Sequence, residues 1–190
     1  MWAVIGLGNP GRRYIGTRHN AGFVFIQRLA RRWGCRLGRK KFSAKIAEAR
    51  RGKGSLILAQ PQTFMNLSGV AVKQIMDGYR IGPEHIIVVY DDLDIPLGQI
   101  RVRKAGSAGT HKGLRSVIGA TGTSSFLRLR VGIGPLPEGE EATGYVLAPF
   151  TAQERPLLES GLASAEEALG LVLDGLVDEA MNTFNKKSMI

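Results

Sequence analysis

Asn9 and His19 are the first residues in this chain whose types suit acid–base chemistry, and the sequence between them places both at one strand end. An apolar stretch, Trp2-Ala-Val-Ile5, reads as a strand and runs into Gly6-Leu-Gly-Asn9-Pro-Gly11, after which a loop delivers Thr17-Arg-His19-Asn20-Ala-Gly22. The chain holds 3 histidines, and imidazole is the side chain whose unperturbed pKa lets it act as a base near neutrality. His19 is therefore the candidate base. Asp91 ends the strongest strand signal, Ile86-Ile-Val-Val-Tyr90, where open α/β sheets place their ligands. A carboxylate beside His19 would fix its tautomer and raise its basicity. Asp91, Asp92 and Asp94 together raise the alternative of a Mg²⁺ site, which needs converging acids and usually substrate phosphates. A chain leaving its strand toward a Pro96 turn spreads such acids, so no metal is expected. Asn66 sits where a helix begins and reads equally as an N-cap or a binding amide. His111 lies in Gly109-Thr-His-Lys-Gly113, a glycine-bounded loop opening a helix and suited to an anion or a close backbone approach. His85, beside Glu84, reads as a surface or capping residue.

Gly6-x-Gly8-x-x-Gly11 after a strand matches the dinucleotide fingerprint in letters but not in context. That motif runs into a helix that receives a pyrophosphate, with an acid about 20 residues further on. Here Pro10 removes an amide donor, Arg12-Arg-Tyr-Ile-Gly16 lacks an apolar helical stripe, and the first carboxylate is Glu48.

The elements that must carry these residues alternate. A helix is expected from Gly22 to Trp33, capped by Asn20 and ended by Gly34. Residues 42 to 49 and 55 to 59 flank Arg51-Gly-Lys-Gly54 as a hairpin, which Pro61 stops. A loop from Gln62 to Ser68 feeds a helix ending near Tyr79, which precedes the Ile86 strand. Then come a strand Gln99 to Lys104, a flexible Gly106-Ser-Ala-Gly109, a helix Lys112 to Gly119 and a strand Leu127 to Ile133. A pair of amphipathic helices fills Thr151 to Phe184. The pattern predicts one α/β domain over residues 1–190: a mixed, largely parallel sheet flanked by helices, antiparallel near the hairpin, with C-terminal amphipathic helices.

Composition narrows the partners. With 190 residues, 44% of them hydrophobic, the chain can bury one full core. Cys35 is the single cysteine, which excludes an internal disulfide or cysteine zinc site and reads as a buried structural residue. No apolar run has the length of a membrane span and the start lacks a leader's basic segment and cleavage site, so a cytoplasmic protein is expected. The net charge of +10 is polarised: residues 1–47 hold 11 Lys and Arg and no acid, residues 95–137 hold 7 and no acid, and residues 138–190 hold 10 acids against 3 bases. Basic stretches of this size are the footprint of a polyanionic partner such as nucleic acid.

Six segments together resemble the bacterial-type peptidyl-tRNA hydrolases. They are Gly6-Leu-Gly-Asn-Pro-Gly11 with Tyr14, Thr17-Arg-His-Asn-Ala-Gly22, Pro61-Gln-Thr-Phe-Met-Asn-Leu-Ser-Gly69, Asp91-Asp-Leu-Asp94, Gly106-Ser-Ala-Gly109 and Leu127-Arg-Leu-Arg-Val-Gly-Ile-Gly134. The resemblance implies a cytoplasmic, monomeric enzyme of translation, without metal, organic cofactor or obligate protein partner, that cleaves the ester joining a peptide to the tRNA 3′ end. It implies His19 as the base on water, Asp91 as its supporting carboxylate and Asn9 as a substrate-orienting amide. Tyr14, Phe64, Met65 and Asn66 match residues lining the groove for peptide and terminal adenosine, and Arg103 and Arg130 match clamps on tRNA phosphates. One position departs: where the family reads Gly-His-Asn-Gly, this chain has Thr110-His111-Lys112-Gly113, so an amide that donates and accepts becomes an ammonium that only donates. A different function class stays open at this point: a non-catalytic RNA-binding protein on the same fold, as in the organellar splicing factors that resemble this family. No serine sits in a Gly-x-Ser-x-Gly elbow, which weakens a covalent esterase.

Overall fold

A computed structural model describes residues 1–52 and 54–185. Its centre is β1, Trp2–Gly6, a short apolar strand buried almost throughout because it is paired on both sides. On one side it runs parallel to β4, Gly54–Pro61, and on the other parallel to β5, Ile86–Pro96. With β2 (Arg39–Lys41), β3 (Ala44–Arg51), β6 (Ile100–Arg103) and β7 (Leu127–Gly134) they form a 7-stranded sheet in the order β2-β3-β4-β1-β5-β7-β6. The four central strands are parallel. The expected hairpin is β3–β4, closed through Gly52 at positive φ. β6 against β7 is a second antiparallel edge that the element order did not foretell, because β7 inserts between β5 and β6.

Alternation along the strands sorts side chains onto two faces. Val4, Leu58, Ile87, Val89, Val102, Leu129 and Val131 face one way, toward α1 (Ala21–Arg32) and α5 (Arg155–Leu173). Ile5, Ile57, Ile86, Val88 and Tyr90 face the other, toward α2 (Ser68–Tyr79) and α3 (Lys112–Thr121). On β6 and β7 the alternate residues of that second face are arginines. Arg101 stands opposite Arg130, and Arg103 opposite Arg128, so an apolar floor becomes a basic one past β5.

Several expectations shift. β5 does not stop at Tyr90 but continues to Pro96, with a register irregularity between Asp92 and Pro96. The three acids therefore lie along a strand, whose alternation turns Asp91 away from Asp92 and Asp94. α4 (Ala142–Leu147) and β2 were not anticipated, both being short, whereas the expected C-terminal pair is present as α5 and α6 (Val177–Phe184). Asn20 occupies the start of α1 but caps nothing with its side chain; its amide is used elsewhere. Cys35 is half-buried rather than buried, packed against the α1 side of the core, and burial pushes its thiol up, away from reactivity. Among the described residues no helix is long and apolar enough to cross a membrane.

α1 lies unusually close to the sheet, and this explains glycines that resemble a nucleotide fingerprint. A Cβ on Gly6 would sit 2.2 Å from the Gly22 carbonyl oxygen, and one on Gly22 would sit 2.5 Å from that of Val89. Backbone meets backbone here, so the helix that follows His19 is pressed onto the ends of β1 and β5.

Candidate active site

The strand ends and the loop before α1 assemble the site. β1 pairs with β5 up to Gly6 opposite Val89, so Asn9 and Asp91 project past the last shared rung. Asn9 is fixed from three directions. Its N–H donates to Asn20 Oδ1 at 2.8 Å, its carbonyl accepts from Asn20 Nδ2 at 3.0 Å, and its own Oδ1 accepts the Met65 N–H at 2.8 Å. The amide oxygen is thus committed and Nδ2 is left as the donor toward the cleft. This is the real use of Asn20: it copies a backbone partner for Asn9 instead of capping α1.

His19 sits on the single turn Arg18–Asn20. Its Nδ1–H donates to Asp91, 3.0 Å from Oδ1 and 2.9 Å from Oδ2, and Asp91 is only 3% exposed. With Nδ1 carrying the proton, Nε2 is the bare lone pair. His111 meets the same carboxylate, its Nε2 3.1 Å from Asp91 Oδ1. The tautomer of His111 is set from the far side, because its Nδ1 accepts the Leu114 N–H at 3.1 Å as the N-cap of α3. Its Nε2 therefore bears hydrogen and donates to Asp91. His111 thus caps α3 with one ring nitrogen and meets Asp91 with the other. Burial pushes the Asp91 carboxyl up, but the two imidazoles outweigh that and hold it well below the ordinary carboxylate range.

His19, Asp91 and His111 offer three ligand atoms within 4.8 Å of one another, which raises the question of a metal. The donor chemistry does not fit one. His111 has both ring nitrogens engaged, and ligation through Nε2 would demand either an imidazolate or loss of the Leu114 bond. The acid cluster fits no better. Asp91 faces the imidazoles, Asp92 Oδ2 accepts from Arg130 Nε at 2.5 Å, Asp92 Oδ1 accepts the Asp94 N–H at 2.9 Å, and the Asp94 side chain is exposed.

A cleft of about 820 Å³ opens over this cluster and extends along the arginine floor. Asn9, Tyr14, His19, Met65, Asn66, Asp91, Arg103, His111, Lys112 and Arg130 all line it. Phe64 does not, although it is 50% exposed beside Met65. Asn66 is exposed within the turn Met65–Leu67 and caps no helix, which leaves its amide for binding. Met65 is buried, and what it gives the site is its backbone N–H on Asn9. Arg103 and Lys112 make no ion pair among the described residues, whereas Arg130 shares its charge with Asp92. His85 is exposed, edge-on to Trp2 and bonded to Glu84, well apart from this group.

The residues 3–190 match the family model described as peptidyl-tRNA hydrolase. The chain belongs to the peptidyl-tRNA hydrolase family. Among relatives bearing that name, the one from Alkaliphilus metalliredigens is 47% identical over 186 residues, covering 97% of this chain and 100% of its own. The one from Chloroflexus aggregans is 44% identical over 186 residues, covering 97% and 99%. A crystal structure of a peptidyl-tRNA hydrolase with n-propanol superposes with a TM-score of 0.92 at 35% identity, over 100% of this chain and 97% of that one. The Acinetobacter baumannii peptidyl-tRNA hydrolase superposes with 0.91 at 36% identity, over 97% and 94%. Family membership and the cleft agree: each segment that carries the resemblance contributes residues to the cleft lining.

Sequence reasoning passed over three supporting residues. Asn20 was assigned to a cap. Arg18 precedes the base and is itself 5% exposed, donating to Tyr145 and Ala148 carbonyls and to both oxygens of Glu154 at 2.8 Å. Arg128 lies on the arginine floor but is buried. The period-2 alternation of Leu127-Arg-Leu-Arg130 was the available signal for that floor.

Proposed function

We propose that this chain hydrolyses the ester of peptidyl-tRNA, with His19 as general base on water. His19 Nε2 removes a proton as the water oxygen attacks the ester carbonyl. The imidazolium so formed is stabilised by ionised Asp91 and returns its proton to the departing ribose oxygen, giving free peptide and free tRNA. A positioned base contributes roughly 10² to 10⁴ in rate. Donors on the developing oxyanion, here Asn9 Nδ2 and Asn66, add about 10² to 10³ each when present. An ester needs no more than this, so no nucleophilic side chain, metal or cofactor enters the scheme. His111 is a second N–H donor that keeps the carboxylate aimed at His19.

Arg103, Arg130 and Lys112 are proposed to take tRNA phosphates, which position the substrate, while the amides read its peptide end. Tyr14, Phe64 and Met65 border the position for terminal adenosine and peptide by family resemblance. Residues 1–190 are read as one domain, acting in the cytoplasm as a monomer.

The observation that carries the proposal is the His19–Asp91–His111 arrangement with Nε2 of His19 bare. It also disfavours the RNA-binding alternative, which has no use for it. The test is to offer N-acetylated and unblocked aminoacyl-tRNA side by side. Release of free tRNA from the blocked substrate supports the proposal, and binding of both without cleavage of either would leave an RNA-binding module.

A further inference from the structure

Arg128 is a buried cation with no carboxylate paired to it among the described residues. It is 3% exposed, yet none of its partners is a carboxylate. Its Nη1 donates to the Ser107 carbonyl at 2.6 Å, and Nη2 donates to the Gly106 carbonyl and to the Ser124 carbonyl at 2.9 Å. The guanidinium lies over the Phe126 ring at 4.9 Å, and its Nε has no partner. Taking a guanidinium out of water without an anion is costly, so the three carbonyls must hold it in place of one.

Two of those carbonyls belong to the loop between β6 and α3. That loop bends at Gly106 and Gly109, both at positive φ, and ends in His111, which donates to Asp91. A Cβ on Gly106 would lie 3.4 Å from Arg128 Nη1, so the loop is seated directly on the guanidinium. Arg103 and its neighbour across the strand pair, Arg128, both line the cleft, but Arg103 is only half-buried with no ion pair among the described residues, whereas the Arg128 head is taken up by the loop carbonyls.

We propose that Arg128 is a positioning residue for this reaction: it pins the Gly106–Ser107 wall that presents His111 and Lys112, and it contacts no phosphate itself. The inference rests on the proposed tRNA substrate for its assay, and it separates two arginines that sequence makes look alike. A direct phosphate contact carries counterion release, so its loss lowers the slope of log affinity against log salt by about 0.7 to 0.9. A positioning arginine leaves that slope unchanged.

The experiment compares Arg128→Lys, Arg128→Gln and Arg103→Gln with wild type. The readouts are kcat, KM and the salt dependence of tRNA binding, together with hydrogen exchange of residues 105–111. Lysine keeps the charge but cannot span three carbonyls. Both Arg128 variants are expected to lose about 10- to 100-fold in kcat/KM, the size of one or two charge-assisted hydrogen bonds, with faster exchange in 105–111 and the wild-type salt slope. Arg103→Gln is expected to show a reduced slope and an unchanged loop. A reduced slope in Arg128→Gln, or full activity in Arg128→Lys, overturns the inference. Should both Arg128 variants fail to fold, Gly106→Ala, which crowds the same seat from the loop side, must reproduce the loop exchange and the loss of kcat/KM. Wild type that cleaves no blocked aminoacyl-tRNA would instead overturn the substrate reading.

Discussion

Asp91→Asn changes one atom of the site and, on this geometry, puts a proton where the reaction needs a lone pair. Asp91 Oδ1 lies within reach of both imidazoles, and Oδ2 lies 2.9 Å from His19 Nδ1 alone. An asparagine has one acceptor oxygen and two new donors. His111 cannot adapt, because the Leu114 N–H holds its Nδ1 and so fixes hydrogen on Nε2. The amide oxygen must stay at the Oδ1 position, and the amide nitrogen falls opposite His19. An amide N–H would then face His19 Nδ1 at 2.9 Å in competition with the 3.0 Å bond to the retained oxygen, which favours moving the His19 proton to Nε2. That tautomer has no base facing water, and it loses the negative charge that stabilised the imidazolium. The expected cost is the general-base share, about 10² to 10⁴ in kcat, toward the upper figure because a wrong-tautomer change in a Ser-His-Asp triad costs about 10⁴. The assay is single-turnover release of tRNA from N-acetylaminoacyl-tRNA, with tRNA binding measured in parallel. Binding should be unchanged, since Asp91 faces imidazoles and not phosphates. Because the imidazoles hold Asp91 below the ordinary carboxylate range, acid loss of wild-type rate must not be the titration of this carboxyl. A kcat for Asp91→Asn close to wild type would refute the tautomer argument outright.

Other positions make separate predictions. Glu154→Gln removes the anion from the buried Arg18 pair and is expected to cost about 1 to 3 kcal/mol of stability, measured by urea unfolding. Burial raises the Glu154 carboxyl, but Arg18 and the hydrogen bonds from Thr151 together outweigh it and the net shift is downward; a depressed carboxyl stabilises above its ordinary pKa and loses that contribution as pH falls through the carboxylate range. Wild-type stability should therefore decline on acidification where the variant stays flatter, and parallel curves would contradict the pairing. Lys112→Asn restores the amide usual in this family. If Lys112 takes a phosphate, the variant shows a weaker salt dependence of KM with kcat retained, and identical salt curves would remove any special role for the lysine. Gly22→Ala places a methyl 2.5 Å from the Val89 carbonyl oxygen and 2.6 Å from Leu7 backbone atoms. It should destabilise by about 3 kcal/mol or more and lower activity, and a melting temperature equal to wild type would show that α1 does not press the strand ends as described.

The sequence made the strands and most helices legible because burial leaves a strong periodic imprint. Trp2 to Ile5 and Ile86 to Tyr90 are apolar because parallel strands are covered on both faces, and α1 carries its stripe for the same reason. The site was legible where chemistry demands a residue type: an imidazole, a carboxylate at a strand end, an amide in a tight turn. What stayed hidden depended on side chains acting as backbone. Asn20 reads as a cap because its composition and place fit one, and only the closeness of α1 to β1 turns its amide onto Asn9. His111 shows no periodic signal, and its tie to Asp91 arises from the fold bringing α3 against β5. Arg128 and Arg130 share a strand face and a residue type, yet one is sealed under a loop and the other lies half-open beside Asp92. Such distinctions follow from tertiary packing, which a strand pattern does not encode.

The most direct test of the central claim is the rate of tRNA release from N-acetylaminoacyl-tRNA by wild type and His19→Ala, each with and without EDTA. A metal-free base mechanism predicts wild-type cleavage that EDTA leaves unchanged and a loss of about 10² to 10⁴ in the variant, with tRNA binding retained. A His19→Ala rate equal to wild type, or activity abolished by EDTA and restored by a divalent ion, would contradict it.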